Sequence, residues 1–137
     1  MTDTRWKQRF DNFDRAFVLL REVQDSGIDS LSRLEREGAI QRFEFAFELA
    51  WKTLKDYMEE NGTIVIPVSP RNVIKEAFKA RVIDDGQVWI DMMLDRNRLS
   101  HMYNSRIFDE VLHKLSERYF AAFNRLHDFF LNRSVEE

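Results

Sequence analysis

Hydrophobic positions in this chain recur at spacings of three and four. Trp6, Phe10, Phe13, Phe17 and Leu20 form the first run, the stripe of an amphipathic helix that turns one face toward partner helices. The pattern predicts a helix from about Thr4 to Gln24, with Gly27 placed for a left-handed C-terminal cap. Ser32-Arg33-Leu34-Glu35 then has the form of a reciprocal capping box, with Ser at the N-cap and Glu at N3. It predicts a short helical lead-in ending near Gly38, and a long helix from Ala39 to Glu60. Phe43, Phe47, Ala50, Leu54 and Tyr57 make one stripe of that helix, and Phe45, Ala46, Leu49, Trp51 and Met58 widen it most of the way round. Only Glu44, Glu48, Lys52, Lys55 and Glu59 remain as a polar strip, with Glu48 and Lys52 spaced for an i,i+4 pair. A helix this apolar belongs at the centre of a bundle.

Asn61-Gly62 ends it. Thr63 to Val68 has β-type composition, but Pro67 and Pro70 exclude a paired central strand, so an extended connection is expected. Ser69-Pro70 supplies an N-cap followed by proline at N1. The helix from Pro70 to about Ala80 should turn Ile74, Ala77 and Phe78 inward and a basic row of Arg71, Lys75 and Lys79 outward. After Asp84-Asp85-Gly86 a further helix places Val88, Trp89, Met92 and Met93 inward. The last helix starts near Asn104 or Ser105 and carries Phe108, Leu112, Leu115, Tyr119, Ala122, Leu126 and Phe129 on one stripe, with His113 and His127 on its flanks as surface or interface groups. Val135 to Glu137 reads as a frayed end. Short connections between long helices point to an all-α fold, an antiparallel four-helix bundle with one or two additional short helices.

Composition agrees with that class. The chain has 137 residues with only 4 Gly and 2 Pro, a size for one domain spanning 1–137 and too few turn formers for a sheet protein. It has no Cys, which excludes a disulfide framework and thiolate chemistry. No apolar run reaches the roughly 18 residues that span a bilayer, so a soluble cytoplasmic protein is expected, with no membrane partner. The formal net charge of −3 argues against non-specific attraction of the whole surface to nucleic acid. Any RNA or nucleotide contact must use a local basic patch. Twelve Phe, three Trp and three Tyr are more than a small core needs, which suggests an aromatic protein–protein face.

Candidate chemistry concentrates in Asp95-Arg96-Asn97-Arg98-Leu99-Ser100-His101-Met102-Tyr103. An arginine five residues before a histidine carries no information in an arginine-rich chain. Tyr103 two residues further on makes the pattern more specific. Arg98 and His101 have an ordinary explanation as cations at a helix C-terminus, and Tyr103 as a packed aromatic edge. Residues five apart on a continuous helix lie about 140° apart around the axis, so Arg96 and His101 converge only if the helix ends between them or a second subunit contributes. Arg96 also falls on the buried column of Trp89 and Met93, where a guanidinium needs a partner or a cleft. Arginine offers a bidentate fork for phosphate, and histidine exchanges a proton near neutrality. Together they suit activation of a ribose 2′-hydroxyl and stabilisation of the crowded phosphate. The sequence has neither a compact metal-ligand cluster nor a glycine-rich phosphate loop, and no cofactor is expected. The Arg71, Lys75 and Lys79 row, with Arg98, is a secondary candidate for substrate contact, although such rows are usually solvated faces.

The segment from Gln41 to Tyr57, QRFEFAFELAWKTLKDY, resembles the central helix of the nucleotidyltransferase substrate-binding family, a branch of the HEPN superfamily. Pro70 to Phe78 and Arg96-Asn97 through His101 resemble it too, and the similarity runs from about Trp6 to Phe130. The resemblance implies a helical bundle that forms homodimers and partners a separately encoded minimal nucleotidyltransferase. In HEPN ribonucleases the Arg and His of this motif are catalytic, with a polar residue after the Arg, here Asn97. Related toxins carry Arg-x-x-x-x-His-x-Tyr, and their antitoxin silences them by adding AMP to that Tyr, here Tyr103. Three readings follow: a metal-independent endoribonuclease toxin, a non-catalytic nucleotide- or substrate-binding adaptor, or a plain helical dimerisation module.

Overall fold

Side-chain caps set where the helices begin. Ser32 Oγ accepts from the Glu35 N–H at 3.1 Å while Glu35 Oε1 accepts from the Ser32 N–H at 2.8 Å, the reciprocal box expected from the sequence. Ser69, Asp85 and Asn104 each cap a helix in the same way, accepting from the backbone three residues on at 3.1 Å. The computed structural model describes residues 5–136. Its helices are α1 (Arg5–Ser26), α2 (Arg33–Glu60), α3 (Pro70–Lys79), α4 (Gly86–Leu99), α5 (Ser105–Lys114) and α6 (Phe120–Val135). A π-helical turn, Leu115–Tyr119, joins α5 to α6 in one rod, and a short 3-10 turn, Ile28–Ser30, links α1 to α2. The expected start at Thr4 and the last residue, Glu137, lie outside the described residues.

Cross-helix contacts define the directions. Arg9 donates to Asp56 at 3.0 Å and Arg42 donates to Glu22 at 2.9 Å, so α1 and α2 run antiparallel. Trp6 packs on Phe130, Asp14 meets His127 and Gln24 reaches the Ser116 carbonyl, which sets the α5–α6 rod antiparallel to α1. Arg118 pairs with Asp91 and Arg98 with Glu110, which sets α4 antiparallel to the rod. The result is the predicted antiparallel four-helix bundle of α1, α2, α4 and the rod, with α3 added against α2 and α4. Among the described residues no strand forms, and no helix is long and apolar enough to cross a membrane. Phe13, Phe43, Phe47, Trp89, Tyr119 and Phe123 fill the centre. The Phe43 and Tyr119 rings stack at 5.8 Å, and Phe123 meets Trp89 edge-on at 5.3 Å, geometries favoured by ring quadrupoles.

Four local expectations need correction. The helix does not pause at Gly38: α2 is continuous from Arg33 to Glu60. Arg36 ties that turn down, donating to the Ile28 and Leu31 carbonyls and to Asp109, while Ala39 and Ile40 are buried just beyond. Tertiary anchoring therefore outweighs the roughly 1 kcal/mol propensity cost of one glycine. Phe78 is 51% exposed, and Val73 takes its inward place with Ile74 and Ala77. The Phe78 ring instead covers Gly86, lying 3.2 Å from where a β-carbon there would be. His127 is only 8% exposed. Its ring stacks on Phe17 at 4.4 Å and its Nε2 lies 2.6 Å from Asp14 Oδ1. Finally, the last stripe is not one regular helix, because the π-helical turn adds a residue there and re-aims Tyr119.

Candidate functional site

Helix α4 delivers the Arg-Asn-x-x-x-His segment to an exposed end of the bundle. Its apolar face, Val88, Trp89, Met92, Met93 and Leu99, is buried, and one carboxylate lies among them. Asp95 is 4% exposed. The Tyr119 hydroxyl donates to its Oδ2 at 2.6 Å, the Lys114 ammonium lies at 3.3 Å and Arg98 Nε at 3.9 Å from its other oxygen. Burial first, and then the bond to Asp95, hold the Tyr119 phenol far above its ordinary range, so it stays a donor. This buried knot fixes the rotation of α4 and thereby the neighbouring Arg96.

Arg96 lies one residue on, with its side chain 26% exposed. Nη1 donates to Glu48 Oε2 at 2.6 Å and Nε donates to Asn97 Oδ1 at 3.2 Å. The guanidinium carbon also lies 5.3 Å from the centre of the Phe47 ring, a cation–π placement. Glu48 in turn holds Lys52 at 3.4 Å, so the i,i+4 pair expected from sequence exists but is half of the story. Glu44, one turn earlier on α2, has its carboxyl pushed up by burial, partly offset by the Arg96 charge. On the other flank Arg98 donates to Glu110 at 2.6 Å and holds that carboxyl below its usual range.

The helix ends between Arg96 and His101, one of the two conditions under which they could converge. Leu99 is the last helical residue and Ser100 the cap. The Ser100 hydroxyl donates to the Asn97 carbonyl at 2.6 Å, and the His101 and Met102 N–H groups both donate to the Arg98 carbonyl. His101, Met102 and Tyr103 are all exposed. No hydrogen bond or ion pair engages the His101 ring among the described residues. Tyr103 rests edge-on against Phe108 at 4.5 Å and is 53% exposed.

The structure thus brings Arg96, Asn97, Arg98, His101 and Tyr103 to one helix end. It does not bring Arg71, Lys75 and Lys79 to the recess beside Arg96. They lie exposed along α3, where Lys79 pairs with Glu76 and Lys75 borders a separate recess with Phe78 and Ile90. Among the described residues no group of three or more His, Asp or Glu side chains could hold a metal ion. Sequence reasoning assigned Asp95 and Glu44 no role of their own and did not reveal the second partner of Glu48. Asp95 had a readable signal, since it sits on the apolar stripe between Met92 and Leu99. A contact between residues 48 positions apart had none.

The sequence pattern of the family described as "Nucleotidyltransferase substrate binding protein like" matches residues 8–132. The chain belongs to that family. This substrate-binding family member is 26% identical over 100 residues to a Haemophilus influenzae protein described as a probable ribonuclease HepT. The match takes in 71% of this chain and spans 61% of that relative's length. A crystal structure of a Thermus thermophilus protein superposes with a TM-score of 0.71 at 28% identity, covering 88% of this chain and 97% of that one. That solved structure shares the helical bundle on which the Arg96 to Tyr103 segment is presented here.

Proposed function

We propose that this chain is a HEPN-type endoribonuclease, acting as one domain over residues 1–137 and as a cytoplasmic homodimer. Its partner is a separately encoded minimal nucleotidyltransferase that silences it as an antitoxin. The observation that supports the reading is the exposed His101 ring, unengaged just past the end of α4, five residues after an arginine held in place by Glu48.

In this reading His101 takes the proton of a ribose 2′-hydroxyl, and the 2′ oxygen bonds to the adjacent phosphorus. The bond from phosphorus to the 5′ oxygen breaks, that oxygen takes up a proton, and a 2′,3′-cyclic phosphate and a 5′-hydroxyl end result. Arg96 neutralises the charge gathering on the phosphate oxygens, Asn97 steadies Arg96 through its 3.2 Å bond, and Arg98 adds a second cation. Tyr103, exposed two residues beyond His101, is the acceptor of AMP. Its hydroxyl oxygen bonds to the α-phosphorus of ATP, pyrophosphate leaves, and the added phosphodiester brings bulk and negative charge to the place where RNA phosphate must sit.

Incubation of the purified protein with total RNA tests this: the parent yields fragments with cyclic-phosphate ends and His101→Ala yields none. Intact RNA with the parent would sink it. The 2.6 Å Arg96–Glu48 bond favours a second reading, a non-catalytic nucleotide-binding adaptor of the nucleotidyltransferase, because that carboxylate already fills one edge of the guanidinium. Nucleotide binding and co-purification with the partner, without cleavage, would select it.

A further inference from the structure

On α2 the residues Gln41, Glu44, Phe45 and Glu48 follow one another at helical spacing and, with Arg96, bound a shallow recess of about 380 Å³. That volume lies at the lower end of small-molecule sites, about 300–1,000 Å³. Three of the lining groups make neither a side-chain hydrogen bond nor a ring contact among the described residues. Phe45 is 68% exposed between the buried Phe43 and Phe47, and its ring meets no other ring among the described residues. Among those residues the Gln41 amide and the Glu44 carboxyl likewise make no hydrogen bond. An open aromatic face, an amide and a carboxyl beside a fixed guanidinium are the parts that single-stranded nucleic acid requires, stacking for a base and polar groups for its edge.

We infer that this recess is a nucleobase subsite, which takes the base next to the reacting phosphate and favours adenine, cytosine or guanine over uracil. The inference rests on the proposal that Arg96 works on a phosphodiester. Phe45 offers the platform on which the base stacks. Glu44 and Gln41 meet its edge. Adenine, cytosine and guanine each carry an exocyclic amine that donates to the Glu44 carboxyl, whereas uracil offers only an N3–H flanked by two carbonyl oxygens that meet the lone pairs of the same carboxyl; the Gln41 amide, which both donates and accepts, serves either edge. Arg96 offers uracil little compensation, since Glu48 already occupies one edge of its guanidinium.

The test uses the full chain. Binding of fluorescent oligoadenylate, oligocytidylate and oligouridylate, with AMP and UMP as competitors, is measured for the cleavage-blocked His101→Ala protein alone and combined with Phe45→Ala, Phe45→Trp or Glu44→Gln. Cleavage positions of the parent are mapped on an RNA of mixed sequence. Loss of affinity for oligoadenylate on the order of ten-fold in Phe45→Ala, its retention in Phe45→Trp, and a narrowed gap between adenine and uracil in Glu44→Gln support the subsite. Cleavage by the parent that neither Phe45→Ala nor Glu44→Gln alters in rate or position overturns the subsite and leaves the ribonuclease reading standing. Binding of AMP over UMP that depends on Phe45, without any cleavage, does the reverse. Absence of all nucleotide and RNA binding, or a change of oligomeric mass in Phe45→Ala that marks the ring as a protein contact, overturns it.

Discussion

The Tyr119 hydroxyl donates a 2.6 Å hydrogen bond to Asp95 in the bundle interior, and the next residue along the chain is Arg96. The π-helical turn from Leu115 to Tyr119 is thereby joined to the candidate site by a single peptide link. Tyr119→Phe removes the donor and leaves a buried carboxylate with Lys114 as its nearest remaining cation. Lys114 keeps its longer bonds to both oxygens, so the loss is that of one hydrogen bond to a charged group, about 1.5–3 kcal/mol, which a urea denaturation midpoint will report. Because the folded state raises the phenol above its ordinary value near 10, the stability it confers is complete below that value. It is lost as pH rises beyond it. Ultraviolet titration should therefore show one of the three tyrosines staying protonated until the chain unfolds in alkali.

Gly38 lies inside α2, and a β-carbon there meets nothing within 4 Å. Gly38→Ala should therefore stabilise the protein by about 0.5–1 kcal/mol, by lowering the conformational entropy of the unfolded chain and raising helix propensity. Thermal denaturation measures it, and an unchanged or lower midpoint would contradict the account given of that turn.

Arg96 and Glu48 are bonded across helices at side-chain exposures of 26% and 35%. For a partly exposed pair a double-mutant cycle over Arg96→Ala and Glu48→Ala should return about 0.5–1 kcal/mol of coupling. The same cycle between Arg96 and Lys52 should return less, because Lys52 reaches Glu48 alone.

His101 and Tyr103 are exposed, and no hydrogen bond holds either side chain among the described residues. His101→Ala and Tyr103→Phe should each leave folding stability within about 0.5 kcal/mol of the parent, Tyr103→Phe keeping the edge contact with Phe108. Their effects on function should separate. The first should cut RNA cleavage by about 10²–10⁴-fold, and the second should abolish AMP incorporation by the partner while sparing cleavage.

Glu44 gives a pH signature of its own. Burial raises its carboxyl above the ordinary glutamate value of about 4.3, so the folded state holds that proton more tightly than the unfolded chain. Its contribution to stability is complete below the ordinary value and is lost as pH rises through the raised one. In Glu44→Gln the slope of stability against pH over that window should flatten. In Arg96→Gln the carboxyl should titrate higher still, because the opposing charge of Arg96 is gone; carbon-detected NMR of the glutamate side chains follows both.

Much of the fold was legible in the chain itself. Caps at Ser32 and Ser69, the helix start after Asp84-Asp85-Gly86, the stripe of Trp6 to Leu20, and the nearly all-round apolarity of α2 are local properties, because propensity and period act over a few residues. The helix end between Arg96 and His101 was legible as one of two conditions: the motif converges only if the helix stops there or a second subunit contributes, and the helix stops at Leu99 with Ser100 as its cap. What the chain alone left open were choices made between distant segments. Gly38 continues in helix because Arg36 is anchored by Ile28, Leu31 and Asp109, and His127 is buried because Phe17 and Asp14 lie opposite it. Phe78 faces outward although its period pointed inward, since α3 packs through Val73, Ile74 and Ala77. The identity of the partner of Arg96 belongs to the same class. Helical periodicity says which face a side chain occupies, but only the packing of α2 against α4 decides which carboxylate stands opposite, and it chose Glu48.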